Sequence, residues 1–148
     1  MNENIVQNYR YDYLRVEPKI VWAPSVFFEA EYKATVSCVG GGIGEDTSLD
    51  PLWEVAQRLT LSLEFHDTEF RLSGEHFYND LSKNQHLNIW LADVSLIHKA
   101  GKWRFAASAI NLFNKEQYRY TLYSAVQSYT SWIKLRPREF MVSVQYQW

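Results

Sequence analysis

At 148 residues the chain is long enough for one domain with a sizeable core, and a formal net charge of −2 gives no electrostatic reason to expect a nucleic-acid partner. No apolar run approaches the roughly 18 residues of a transmembrane helix, so any membrane crossing has to be made by strands. The 16% of aromatic residues (ten Tyr, eight Phe, six Trp) is high for a soluble domain and fits a barrel girdled by aromatics.

Alternation with a period of two organises the chain, and a mean hydropathy of −0.35 beside 47% hydrophobic residues is what such alternation produces. Strand one is expected from Ile5 to Val16, with Tyr9, Tyr11 and Tyr13 on one face and Asn8, Arg10 and Asp12 on the other. Strand two runs from Ile20 to Cys38. Val26, Phe28, Ala30, Tyr32, Ala34, Val36 and Cys38 oppose Ser25, Glu29, Glu31, Lys33, Thr35 and Ser37, and Pro24 marks a bend or an edge. Strand three, Val55 to His66, sets Leu59, Leu61, Leu63 and Phe65 against Arg58, Thr60, Ser62 and Glu64. Strand four, Glu69 to Tyr78, sets Phe70, Leu72 and Tyr78 against Arg71, Ser73 and Glu75. In strand five, Leu87 to His98, the apolar parity changes between Leu87/Ile89 and Ala92/Val94/Leu96, which predicts a bulge near Trp90. Strand six, Lys102 to Leu112, alternates Trp103, Phe105, Ala107 and Ala109 with Arg104, Ala106 and Ser108. Strand seven, Arg138 to Trp148, places Phe140, Val142, Val144, Tyr146 and Trp148 on one face and Glu139, Met141, Ser143, Gln145 and Gln147 on the other.

The connections alternate in length. Glu17-Pro18-Lys19, Asp67-Thr68 and Ala100-Gly101 read as tight turns, whereas Val39–Glu54, Asn79–His86 and Phe113–Leu135 read as long loops. Short turns at one end and long loops at the other are the habit of a transmembrane barrel. The terminal strand agrees: an apolar face that ends on an aromatic residue suits a last strand facing lipid.

Ala109-Ile110-Asn111-Leu112-Phe113-Asn114-Lys115 with Tyr118, then Leu135-Arg136-Pro137-Arg138-Glu139-Phe140, resembles the C-terminal end of a TonB-dependent outer-membrane receptor. Leu91-Ala92-Asp93-Val94-Ser95-Leu96 resembles the preceding strand of that family. The resemblance covers Leu87 to Trp148 and rests on Asn111, Leu112, Phe113, Asn114, Arg136, Pro137 and Arg138. It implies energised uptake of a bulky nutrient such as an iron chelate, a cobalamin or a glycan. It also implies that TonB is met only through a plug domain that this sequence lacks, so the chain alone is expected to be inactive in transport. A signal peptide is likewise not visible at Met1-Asn2-Glu3-Asn4. Independently of the family, Asn111 and Asn114 tolerate a left-handed backbone, and Pro137 belongs at the first residues of a strand.

Other candidate chemistry is weak. His66, His76, His86 and His98 lack metal-ligand spacing. Gly40-Gly41-Gly42-Ile43-Gly44 has no following Lys-Ser/Thr and reads as a surface loop, not a phosphate loop. Glu29 with Glu31 and Glu64 with Glu75 are inward carboxylates of the kind a barrel lumen holds, so a glycosidase pair is disfavoured. Trp22, Trp53, Trp90, Trp103, Trp132 and Trp148 read as a girdle, with sugar stacking by Trp53 or Trp132 as the alternative. Cys38 has no intrachain partner and reads as a structural thiol.

The expectation is therefore an all-β, antiparallel, up-and-down transmembrane barrel wall of about seven strands, a fragment of a larger barrel in the outer membrane. Its partners are the lipid bilayer and the barrel-assembly machinery. No catalytic residue, metal or cofactor is expected. The alternatives are a small stand-alone outer-membrane barrel, acting as an adhesin or narrow pore, and a soluble lipocalin-like carrier.

Overall fold

The computed structural model of the chain describes residues 9–43, 47–82, 85–123 and 128–148. The described residues form ten strands: β1 (Tyr9–Val16), β2 (Lys19–Ser25), β3 (Phe28–Ile43), β4 (Thr47–Phe65), β5 (Thr68–Ser82), β6 (Gln85–Ala100), β7 (Trp103–Ile110), β8 (Gln117–Tyr123), β9 (Ser128–Lys134) and β10 (Glu139–Tyr146). All pairings are antiparallel. One sheet runs β1-β3-β4-β5-β6-β7-β10, with β2 also on β3, and it is not closed. A separate hairpin is made by β8 and β9.

The first two strands divide differently from the sequence expectation. Glu17-Pro18-Lys19 is not a turn. Val16 faces Val36 and Lys19 faces Lys33, so β1 and β2 form one edge in the same register across Pro18, and the register shifts only further on, between Trp22 and Ser25. Pro18 accepts the amide of Ala34 at 3.0 Å but has no N–H to return, so the ladder loses one bond there. The turn falls instead at Val26-Phe27, inside what the alternation reads as a single strand from Ile20 to Cys38. The expected start of strand one at Ile5 lies outside the described residues.

The expected long loops also shorten. β3 and β4 run through most of Val39–Glu54, and β5 and β6 through most of Asn79–His86. Gly40, Gly41 and Gly42 are in β3 and face Asp12, Tyr11 and Arg10; Gly44 lies outside the described residues. At Gly41 a Cβ would collide with the Arg10 carbonyl, so close approach of β1 requires glycine there. Between β7 and β10 the chain leaves the sheet and carries the β8–β9 hairpin.

Three two-residue turns share one end of the sheet: Val26-Phe27, His66-Asp67 and Gly101-Lys102. His66 and Gly101 take positive φ, 53° and 58°. Each turn repeats one device: its second residue accepts an amide from the neighbouring strand, Glu64 to Phe27, Lys99 to Asp67 and Gln147 to Lys102, at 2.8–2.9 Å. The turns are also evenly staggered. Phe28 faces Leu63, two residues short of the end of β4, and Thr68 faces His98, two residues short of the end of β6. The stagger is thus about one residue per strand. At ~3.3 Å per residue and ~4.8 Å between strands, strands whose turns are level tilt by about 35°.

The hairpin decides which face is inner. Asn79 Nδ2 donates to the Thr121 carbonyl at 3.4 Å, and the Phe77 and Tyr118 rings lie 5.2 Å apart. The face carrying Phe77, Asn79 and Ile89 is therefore the covered one. Ile89 is buried beneath the hairpin's end of the sheet. This explains strand five without a bulge: register is unbroken at Trp90. Leu87 and Ile89 point inward at the covered end, while Ala92, Val94 and Leu96 point outward nearer the turns.

Candidate functional site: an outer apolar band and an inner cavity

The register carries one set of side chains across the whole outer face. Ala30, Leu61, Leu72, Val94, Ala109 and Phe140 lie on a single row from β3 to β10 or within two residues of it. Phe140, Val142, Val144 and Tyr146 belong to this face and are exposed, and Trp148 at the end is fully exposed. Leu63, Phe65, Leu96, Trp103 and Phe105 are exposed on it too. The band has an aromatic lower border near the turns. Trp22 meets Phe28 edge-on at 5.4 Å, Trp103 lies 4.8 Å from Tyr146, and Tyr146 meets Trp148 at 5.5 Å. Thr68 Oγ1 and His98 Nδ1, polar groups low in the band, satisfy each other at 2.9 Å.

A polar row closes the band above. Tyr32 Oη donates to Gln57 Oε1 at 2.8 Å, and Gln57 Nε2 donates to His76 Nδ1 at 2.8 Å. With Nδ1 accepting, the imidazole proton is on Nε2 and is donated to Asn88 Oδ1 at 3.0 Å. His76 stacks on Trp90 at 4.2 Å. With the turns level and the tilt above, Gln57, His76 and Trp90 stand roughly 23–28 Å above them. Beyond this row Asp12, Asp80, His86 and Asn88 bring polar groups onto the outer face, among apolar side chains such as Leu14 and Trp53. Tyr78 donates to Asp80 at 2.7 Å, and that bond holds its phenol above the usual tyrosine range.

The inner face is charged over the same height. Glu31 pairs with Lys33 at 2.5 Å and Lys19 at 3.0 Å, Arg58 with Glu75, and Arg71 with Glu69 at 3.0 Å. Glu29 and Glu64 share this face. Two of the four expected inward carboxylates, Glu31 and Glu75, are thus neutralised by cations. Near the hairpin the inner face holds a cavity of about 300 Å³ lined by Tyr11, Tyr13, Arg15, Ser37, Glu54, Asn79 and Thr121, among others.

The Asn111–Arg138 segment is a strand-end clamp. Asn111 and Asn114 both adopt left-handed backbone, φ 53° and 52°. Buried Asn111 receives Lys115 N on Oδ1 at 2.9 Å, and its Nδ2 donates to the carbonyls of Lys115 and Arg136 at 2.8 and 2.7 Å. Its own amide goes to Asp93 Oδ1 at 2.8 Å, and Leu112 N to the Ala92 carbonyl at 2.8 Å. Asn114 Oδ1 accepts Arg138 N at 3.0 Å, bringing the two ends of the excursion together. Pro137 sits just before β10, and Phe113 is exposed. Trp53 and Trp90 are near the upper row, and Trp132 is in the hairpin under Arg119 at 5.0 Å. The histidines are dispersed: His66 in a turn against Phe65, His86 against Tyr78, and His76 and His98 as above. Among the described residues no group of three or more His, Cys, Asp or Glu is placed to hold a metal. Cys38 is half-buried.

No protein-family model, curated protein or solved structure matches the chain. No helix among the described residues is long and apolar enough to cross a membrane. The cavity residues Tyr11, Tyr13, Glu54 and Asn79 escape sequence reasoning, because only pairing and the returning hairpin bring them together. The tyrosine alternation of the first strand was the one available signal.

Proposed function

We propose that this chain is a length of outer-membrane β-barrel wall of the TonB-dependent receptor kind, without enzymatic activity of its own. The observation that carries the membrane reading is the outer band. It is apolar from the turns to a height of roughly 25 Å, edged by aromatics below and by a hydrogen-bonded aromatic–polar row above, on strands staggered for a tilt of about 35°. Those are the dimensions of a hydrocarbon core met by tilted strands. The lipocalin-like alternative needs the apolar face inside, whereas the hairpin here packs against the opposite face. The receptor part of the reading rests on the Asn111–Asn114 and Arg136–Arg138 segments, which act as the clamp between the last two strands of the sheet. In such a receptor the turns face the periplasm, the hairpin faces the medium, and the substrate is a bulky nutrient.

The test is spin labelling in reconstituted vesicles. Single nitroxides at Leu61 and Val94 should be accessible to oxygen and shielded from a polar nickel reagent. Labels at Ser62 and Ser95 should show the reverse. Equal nickel access at all four positions, in a Cys38→Ser background, would remove the membrane reading.

A further inference from the structure

We infer that the inner cavity at the hairpin end is a binding site for a neutral, polyhydroxylated ligand, a short sugar chain being the class that fits. Asn79 is the central residue. It is 4% exposed, and its Oδ1 has no hydrogen-bond partner among the described residues. The amide cannot flip to cure this, because its Nδ2 is directed at a carbonyl, that of Thr121, which only accepts. A buried acceptor without a donor is costly; this oxygen is closed to solvent, so a ligand hydroxyl or N–H makes the missing bond as the Asn79 amide turns toward the cavity that it lines.

The rest of the lining points the same way. Tyr11 and Tyr13 follow each other on β1 with rings 7° from parallel and centroids 6.5 Å apart, and both are exposed. They present flat apolar surface of the kind against which the C–H faces of sugar rings pack, with phenol groups beside it. Glu54 adds carboxylate oxygens to the acceptor set, with Ser37 Oγ donating to one of them at 3.3 Å. The single cation of the lining, Arg15, is held by Glu17 at 2.5 Å and bonded to Tyr13. An acceptor-rich cavity with its one cation already paired disfavours an anionic chelate and favours a neutral hydroxyl donor. Its volume lies at the small end of ligand sites, which span roughly 300–1,000 Å³, so it takes one or two sugar units and leaves the remainder of a longer ligand outside.

The inference rests on the wall reading only for the side from which ligand arrives. The full chain is refolded into detergent micelles and titrated by calorimetry with maltotriose, cellotriose and chitotriose, and with ferric citrate as an anionic chelate. Saturable binding of at least one trisaccharide, with none of ferric citrate, is expected. Asn79→Ala and Tyr13→Ala should each weaken it by roughly tenfold, the loss of one good hydrogen bond or stacking contact. Tyr13 is solvent-exposed, so its variant keeps the test available where Asn79→Ala fails to fold. Preference for ferric citrate, absence of trisaccharide binding by the folded chain, or binding untouched by both substitutions would overturn the site. Vesicle insertion is scored on the same preparation. Sugar binding without insertion removes the wall reading and keeps the cavity, and insertion without sugar binding does the reverse.

Discussion

The two ends of β6 follow opposite rules. From Ala92 to Ala100 the strand puts most of its apolar side chains outward, as Val94 and Leu96 do, with Ile97 the inward exception. From Gln85 to Leu91 it puts them inward, where Ile89 is buried at 6% exposure while Trp90 stays open outside. The backbone is continuous, so the environment has changed and the strand has not. Where the outer face is apolar the inner face is ionic. Where polar groups enter the outer face, the inner face carries Phe77 and Ile89 beside the polar cavity residues, and the hairpin folds over it. The height of that exchange is the upper edge of the hydrocarbon layer in the proposed reading, and substitutions on either side of it are the means to break or sharpen the contrast.

The largest difference is expected between two outer positions of this one strand. Leu96→Arg, at mid-band, should cost about 2–4 kcal/mol of folding free energy in lipid, whereas Asn88→Arg, above the polar row, should cost about 0–1 kcal/mol. Urea unfolding in vesicles, followed by the heat-modifiable shift in mobility, measures both. Equal costs would mean that height on the outer face does not matter. On β10 the same contrast holds between faces: Val144→Arg should be as costly as Leu96→Arg, and Gln145→Arg nearly silent.

The inner apolar patch is tested next. Ile89→Ala should cost about 2–3 kcal/mol, toward the low end of buried large-to-small changes because one side of the site is a two-stranded hairpin and not a closed core. The loss should appear as protease cleavage within Gln117–Lys134, with little change at the turn end. Cleavage spread evenly over the chain would show that the hairpin is not what Ile89 supports.

Asn111→Asp comes third. It keeps a side chain tolerant of left-handed backbone and the acceptor for Lys115 N, but loses the two donations to the Lys115 and Arg136 carbonyls. A cost of about 1–3 kcal/mol is expected, the range for leaving buried partners unpaired. Asn111→Gly keeps the backbone and loses all three side-chain bonds, so a Gly variant more stable than the Asp variant would show that a buried charge, not lost bonding, dominates at this site. Smallest of all, Gly101→Ala at φ 58° has open space around it and should cost about 1 kcal/mol, from the left-handed backbone alone.

Much of the sheet was legible in the sequence because alternation is a direct print of one face against the other. Val55–His66, Glu69–Tyr78, Lys102–Leu112 and Arg138–Trp148 each lie largely on a strand with the expected faces. Each failure has a particular cause. Glu17-Pro18-Lys19 carries turn chemistry but lies on an edge strand, where one missing ladder bond is tolerated. Val26-Phe27 is a turn built from apolar residues, and its alternation with Phe28 hides it. A change of apolar parity predicts the bulge at Trp90, but its cause is the β8–β9 hairpin, which begins only at Gln117. Gly40–Gly42 reads as a loop because nothing local reports that β1 pairs there, or that it passes close enough at Gly41 to exclude a Cβ. Asn111 and Asn114 were readable as left-handed positions, but not the partners, Asp93 and Arg136 among them, that make them a clamp.

The direction of the two free edges has a consequence of parity. β1 with β2 and β10 run the same way, from the hairpin end to the turn end, because six antiparallel steps, an even number, separate them. A seam between them would be parallel, within one copy or between copies set side by side with the same orientation. Each edge instead accepts a strand travelling from the turns upward. Any closed, wholly antiparallel ring that contains this sheet therefore completes it with an odd number of further strands, and its total is even.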